Sequence, residues 1–194
     1  MPWKPISSAR VFLSKKPTMS RVRRAEAQKL IAETREALHH VDPYVDDAVR
    51  DAEKIYHVRF QDMERFLALI WPDIEGGRIL VPPDESHTLC DVANRMIYNS
   101  WTFEDLTADM GMPLAEHDPE LFVKSRYLDE NFDYDKLGVL ILAPSTEAER
   151  KRSPDGSFYI YDGFHRALVL AKRLLLEEEP YRQVSAILVI PRPL

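Results

Sequence analysis

The sequence predicts an α+β protein, with a helical N-terminal module at residues 1–75 and a small mixed-sheet domain at residues 76–194. Apolar residues recur at helical spacing from Ser20 to about Trp71. Gly76-Gly77 then marks a break in that pattern. Two apolar or aromatic runs near the end of the chain, 158–162 and 185–190, have the composition of strands and flank another helical pattern.

Three helices are expected in the first segment. The first has Ser20 as its N-cap. The second helix starts at Asp42-Pro43, because proline is favourable at the first helical position. The apolar face of this helix is expected to continue through Ala52, Ile55 and Tyr56. The third covers about 61–70 and ends before Pro72.

The second segment mixes strands and helices. Strands are expected at 78–81 and 139–142, and helices at 88–99, at about 103–110 and from Pro119 to about Tyr127. A charged loop at 147–156 precedes the strand at 158–162. The loop is expected either to cover a ligand bound beside that strand or to be a simple connection between strands.

Composition is that of an ordinary globular protein, with 45% apolar and 30% charged residues in 194. The single cysteine, Cys90, excludes a disulfide framework. No apolar run reaches the ~20 residues that span a bilayer, so we expect no transmembrane segment and a cytoplasmic protein. His87 and Cys90 have metal-ligand chemistry, but two ligands do not make a zinc site.

Charge is unevenly distributed. Residues 1–29 hold eight Lys or Arg and one Glu, a net charge of +7, while the whole chain carries −6. Such a basic arm suits nucleic acid or an anionic lipid surface. The alternative is that the arm packs on the acidic body of its own chain.

The most informative segment is the junction at 158–166, Phe-Tyr-Ile-Tyr-Asp-Gly-Phe-His-Arg. Asp162-Gly163 is a turn dipeptide, and the helix that follows begins with unpaired N–H groups and the positive end of its dipole. His165 and Arg166 place two cationic or hydrogen-bonding groups there, which predicts a phosphate site. The alternative is that Asp162 only caps the helix and Arg166 is a surface residue.

Asp162-Gly163-x-His165-Arg166, with its preceding strand and following helix and strand, resembles the signature of the ParB/sulfiredoxin superfamily. The resemblance covers roughly 137–191. Phe164 occupies the position of the reactive cysteine of sulfiredoxins, so sulfinic acid reduction is not expected. Since the sequence ends one strand after the motif helix, the DNA-binding domain of the partition proteins is not expected either.

The resemblance implies a nucleotide site. Gly163 and Phe164, with His165 and Arg166, would hold the phosphates of ATP or another nucleotide. Asp162 would be the Mg²⁺ ligand. Asp162, His165 and Arg166 would be catalytic, with Glu85 as an upstream carboxylate. A P-loop is not present in the sequence.

The implied activities are ATP hydrolysis and DNA cleavage. The arrangement of a helical segment before the motif also resembles the Osa-type plasmid fertility-inhibition proteins, which implies DNA and the type IV secretion coupling machinery at the inner membrane as partners. Two alternatives remain open: a kinase for a free amino acid, and a non-catalytic regulator that binds DNA or protein.

Overall fold

The computed structural model describes residues 14–38, 41–71, 88–98, 119–145 and 158–192, which form helices around a five-stranded mixed sheet. The strands are β1 (Thr18–Arg21), β2 (Ala52–Phe60), β3 (Leu140–Pro144), β4 (Phe158–Asp162) and β5 (Val184–Pro191). The helices are α1 (Arg24–Leu38), α2 (Tyr44–Asp51), α3 (Met63–Leu67), α4 (Leu89–Tyr98), α5 (Pro119–Glu130) and α6 (Phe164–Leu176), with a 3₁₀ turn at Tyr134–Lys136. The predicted α+β class is confirmed.

The sheet has the strand order β1-β2-β5-β3-β4. Only β3 and β5 run parallel, and the other neighbours are antiparallel. One row of paired residues crosses the whole sheet, from Ser20 through His57, Ile187 and Ile141 to Asp162. Strands lie about 4.8 Å apart, so the two ends of this row are separated by about 19 Å.

Both faces of the sheet are covered. α1 and α2 pack on one face through a cluster that includes Ile31, Val45 and Ile187. The other face carries α3, α4 and α6, whose buried residues meet strand residues such as Val58 and Leu142. Because both faces are buried, the central strands are apolar on both sides, as in parallel sheets covered by helices.

One helix prediction in the first segment is wrong. α2 ends at Asp51, and the residues expected to continue its apolar face, Ala52, Ile55 and Tyr56, belong to β2. In that strand Ile55 faces the α1 side of the sheet, while Tyr56 packs with the opposite core. β1 and β5 supply backbone partners on both sides of β2, which favours the extended form over local helical spacing.

Other predictions vary in outcome. Ser20 is not a helix N-cap; it lies in β1, and α1 begins at Arg24. The helices expected at 88–99 and from Pro119 are confirmed, and the helix expected at 61–70 is shorter, at Met63–Leu67. The predicted strand at 78–81, helix at 103–110 and loop at 147–156 lie wholly or largely outside the described residues.

The predicted domain boundary at Gly76-Gly77 also lies outside the described residues. Strands from both sides of it nevertheless belong to one sheet, since β2 pairs along its length with β5. Phe60 and Phe66 share a core cluster with Leu170 and Val184. The described parts of the two segments are therefore packed together.

In the part of the chain that the structure describes, no helix has the length and apolar character required to cross a membrane.

Candidate functional site

The strand-turn-helix junction forms where the sequence predicts it. β4 ends at Asp162, and α6 begins at Phe164. Between them Gly163 adopts φ 89° and ψ 16°, in the left-handed region, and its carbonyl accepts a hydrogen bond from the Ala167 N–H at 3.0 Å. A Cβ at this position would lie 2.6 Å from Arg166 Nη2 and 2.8 Å from Leu140 Cδ2. Both the conformation and the space therefore require glycine.

Arg166 lies directly beneath this turn. Its side chain is buried, and Nη1 donates to the backbone carbonyls of Leu137 at 2.6 Å and Val139 at 3.0 Å. Nη2 lies 3.7 Å from Asp162 Oδ2, where the two groups form an ion pair. Burial lowers the pKa of Arg166, and the Asp162 carboxylate opposes that shift. The guanidinium therefore connects the turn at 162–163 to the backbone of the residues just before β3.

This placement corrects the alternative that Arg166 is a surface residue. The residue is not a surface side chain, because only 6% of it is exposed and its donors face protein acceptors. Direct contact between Arg166 and phosphate stays a prediction that this arrangement does not favour. The structure gives Arg166 a positioning role instead.

Asp162 is also buried, and a residue from the opposite face of the sheet contacts it. The hydroxyl of Tyr44, the first residue of α2, donates to the Tyr161 carbonyl at 3.3 Å and lies 3.5 Å from Asp162 Oδ1. Burial and the carboxylates of Asp162 and Asp42 raise the pKa of Tyr44, so the phenol stays protonated and remains a donor. The Tyr44 ring also meets the Tyr161 ring edge-to-face at 5.2 Å.

The sequence gives no sign that Tyr44 belongs to this site, since Tyr44 lies 118 residues from Asp162 and no spacing rule connects the two positions. Asp162 is the carboxylate that is predicted to be the Mg²⁺ ligand. Among the described residues, no group of three His, Cys, Asp or Glu side chains is arranged to hold a metal ion. Binding of Mg²⁺ by Asp162 stays a prediction.

The first turn of α6 presents an aromatic stack. The half-buried rings of Phe164 and His165 stack at 4.3 Å with an interplanar angle of 28°. Phe164 also meets the buried Trp71 edge-to-face at 5.7 Å. Phe164 and His165 therefore both keep partial access to solvent at the start of the helix, and His165 is the one of the two that carries a polar side chain.

The start of α6 has the electrostatics of an anion site. The N–H groups of Gly163, Phe164, His165 and Arg166 have no intrahelical acceptor, because acceptors for the first turn would lie before the helix. The first turn holds no acidic residue, and the carboxylate of Asp162, which precedes the turn, is paired with Arg166. An anion with oxygen acceptors would complement these groups.

The upstream carboxylate predicted for the site is Glu85, whereas His87 and Cys90 are a ligand pair too small for a zinc site. Glu85 and His87 lie outside the described residues. Cys90 is buried in α4 as part of the core.

Comparison with known proteins adds no relative: the chain matches no protein-family model, no curated protein and no solved structure. The resemblance to the ParB/sulfiredoxin superfamily stays a prediction that depends on the residues at 162–166.

Proposed function

We propose that this chain is a ParB/sulfiredoxin-like enzyme that binds nucleotide phosphates at the N-terminus of α6, hydrolyses ATP with Mg²⁺ and cleaves DNA. The observation that supports this proposal most is the start of α6. A left-handed Gly163 opens the helix, its first turn has no acidic residue, and the buried Asp162–Arg166 pair holds the turn in place.

The proposed roles follow the placement of the residues. The amides of Phe164 and His165 bind phosphate oxygens, because they are first-turn donors at the positive end of the helix. The imidazole of His165 lies on that turn and is partly exposed, which suits proton transfer or stabilisation of negative charge. Arg166 keeps the turn rigid, so the amides need no rearrangement when the phosphate binds.

In the proposed reaction, water attacks the γ-phosphorus, the bond to the bridging oxygen breaks, and ADP leaves. Mg²⁺ supplies neutralisation of the phosphate charge when bound, and Asp162 is the proposed carboxylate for it. The same turn would hold a phosphodiester during DNA cleavage. We extend this, as a narrower proposal, to inhibition of conjugative or T-DNA transfer through the coupling machinery of a type IV secretion system.

The test uses the full chain with ATP labelled in the γ-phosphate and with plasmid DNA, each with and without Mg²⁺. The informative variant is His165→Ala, because it removes a partly exposed group and leaves the buried Asp162–Arg166 pair intact. Its matched control is His57→Gln, which alters a histidine three strands away in the sheet. Arg166→Ala is unsuitable as the main variant, since it would disturb the fold.

We expect Mg²⁺-dependent release of phosphate by the wild type, a loss of roughly 10²- to 10⁴-fold in His165→Ala, and wild-type rates in the control. A wild type that neither hydrolyses ATP nor cuts DNA, while correctly folded by circular dichroism, refutes the enzymatic proposal. Transfer of the label to a free amino acid would identify a kinase instead. Nucleotide binding without turnover would identify a regulator.

A further inference from the structure

Exposed cations divide into two groups in the described structure. Away from β1, most of them have a carboxylate partner. This group comprises Lys29 with Glu33, Arg35 with Asp46, Arg50 with Asp47, Lys54 with Glu53, Arg126 with Glu130, Lys136 with Asp133 and Arg182 with Asp135. Around β1 the situation differs: Lys15, Lys16, Arg21 and Arg23 form no ion pair with any described residue.

These cations lie in or beside the strand at one edge of the sheet. All four residues of β1 are exposed, and its outer side has no neighbouring strand among the described residues. Thr18 pairs with Arg59 of β2, so these two side chains share one face of the sheet, whereas Arg21 pairs with Tyr56 and lies on the other face. Arg59 Nη2 contacts His57 Nδ1 at 3.3 Å and forms no ion pair in the described structure, which adds a fifth cation to the edge.

The local charge contrasts with that of the chain. Residues 14–24 contain five Lys or Arg and no acidic residue, whereas the chain carries a net charge of −6. Positive charge concentrated along one edge of an acidic protein attracts polyanions. The backbone N–H of Lys15 donates to Asp62 Oδ2 at 2.6 Å, but the side chains of Lys15, Lys16, Arg21 and Arg23 form no ion pair with a described acidic residue.

We infer that this surface, formed by Lys15, Lys16, Arg21, Arg23 and Arg59 and called here the β1 edge, binds the phosphate backbone of DNA. Lys and Arg side chains that form no intramolecular ion pair can neutralise DNA phosphates and release the condensed counterions, which drives sequence-independent binding. An anionic membrane fits less well, because Met19 is the one large apolar side chain that β1 exposes. Membrane-surface elements combine cations with a substantial apolar face.

The β1 edge is separate from the α6 junction. Ser20 and Asp162 lie at opposite ends of one register row, about 19 Å apart. The choice of DNA as partner depends on the proposed function, but binding at this edge does not require catalysis. The two can therefore be tested independently.

Edge-strand protection is the competing explanation. Charged side chains on an outermost strand prevent its unpaired backbone from pairing with another molecule. In that case the cations of the β1 edge would keep the protein monomeric, and their removal would cause aggregation without altering affinity for DNA.

The experiment measures fluorescence anisotropy of a labelled DNA duplex of mixed sequence, with EDTA and without nucleotide, between about 0.05 and 0.2 M salt. The test variant is Lys16→Gln/Arg21→Gln/Arg23→Gln. The control, Arg50→Gln/Arg126→Gln/Lys136→Gln, makes the same change in net charge at exposed cations that have carboxylate partners. Static light scattering reports the oligomeric state of each protein.

We expect the wild type to bind DNA with a steep salt dependence, and the control to match it. The test variant should reduce the slope of log K against log salt by about 3, which corresponds to a loss of more than tenfold in affinity near 0.1 M salt. Equal slopes in the test and control variants overturn the inference, as does aggregation of the test variant with unchanged affinity. Binding by the wild type to phosphatidylserine vesicles but not to DNA overturns it as well.

Failure of this inference and failure of the proposed function give different results. Wild-type protein that hydrolyses ATP but does not bind DNA would refute DNA binding at the β1 edge and the proposed DNA cleavage, but not the proposed ATP site at α6. Wild-type protein that binds DNA through the β1 edge, with no turnover of ATP or DNA, would refute the enzymatic proposal alone.

Discussion

Replacement of Arg166 by alanine is expected to destabilise the fold before it affects any ligand. Arg166 is 6% exposed, and its guanidinium donates to the carbonyls of Leu137 and Val139 and forms an ion pair with the carboxylate of Asp162. Alanine would leave these acceptors without their donors. Asp162 would then be a buried carboxylate without its cation.

The magnitude follows from these contacts. Removal of one partner of a buried ion pair costs about 3–5 kcal/mol, because the other charge stays desolvated. Hydrogen bonds from a charged donor each contribute about 1.5–3 kcal/mol. Because the energies of neighbouring contacts do not simply add, the loss of the two hydrogen bonds is included in the cost of breaking the ion pair and is not added to it. For a chain of this length, the loss corresponds to a fall in Tm of about 10 °C.

The measurement is equilibrium urea unfolding of Arg166→Ala and Asp162→Asn, followed by tryptophan fluorescence. The double variant should be less destabilised than the sum of the two single variants, because either one alone already breaks the pair. Arg126→Ala is the matched control. Its exposed ion pair with Glu130 should contribute less than about 1 kcal/mol.

One result would refute this reasoning. If Arg166→Ala unfolds at the wild-type urea concentration but no longer binds nucleotide, the guanidinium is a ligand for phosphate and its buried position is not the functional one.

Two further predictions concern the same sheet. Gly163→Ala should cost about 2–5 kcal/mol in the free energy of unfolding, from left-handed strain of about 1–2 kcal/mol and crowding against Arg166 of about 1–3 kcal/mol; an unchanged urea midpoint would contradict it. His57 should make stability depend on pH, because burial and Arg59 lower its pKa below the ordinary 6.5. The unfolded chain then binds more protons, so stability is lost as pH falls from about 6.5 towards the folded pKa. Urea midpoints should fall more on acidification in the wild type than in His57→Gln, and equal falls would rule out this effect.

Local patterns were sufficient for the junction at 158–166. An alternating aromatic strand, a glycine and an apolar helical run specify strand, turn and helix from neighbouring residues alone, and all three are present. Thr34 shows the limit of such patterns. Its helical spacing predicts burial in α1, but its hydroxyl also accepts a hydrogen bond from the Val139 N–H at 2.9 Å, a contact across 105 residues.

β2 shows why the first segment was misassigned. Apolar residues at 45, 48, 49, 52 and 55 fit a helix, and only backbone pairing with β1 and β5 makes residues from Ala52 onward extended. Such pairing connects positions far apart in the chain, so local periodicity carries no information about it.

The α+β class and the position of the strand-turn-helix junction follow from the sequence alone, because each depends on the conformational preferences of adjacent residues, whereas the space at Gly163 is limited by Leu140, which is distant in the chain. The tertiary structure decided the role of each side chain there. It buried Arg166 against Leu137 and Val139, brought Tyr44 to Asp162 from the opposite face of the sheet, and placed Arg59 beside the cations of the β1 edge. These outcomes depend on contacts between residues that are distant in the chain, and on how much hydration each charged group loses on folding.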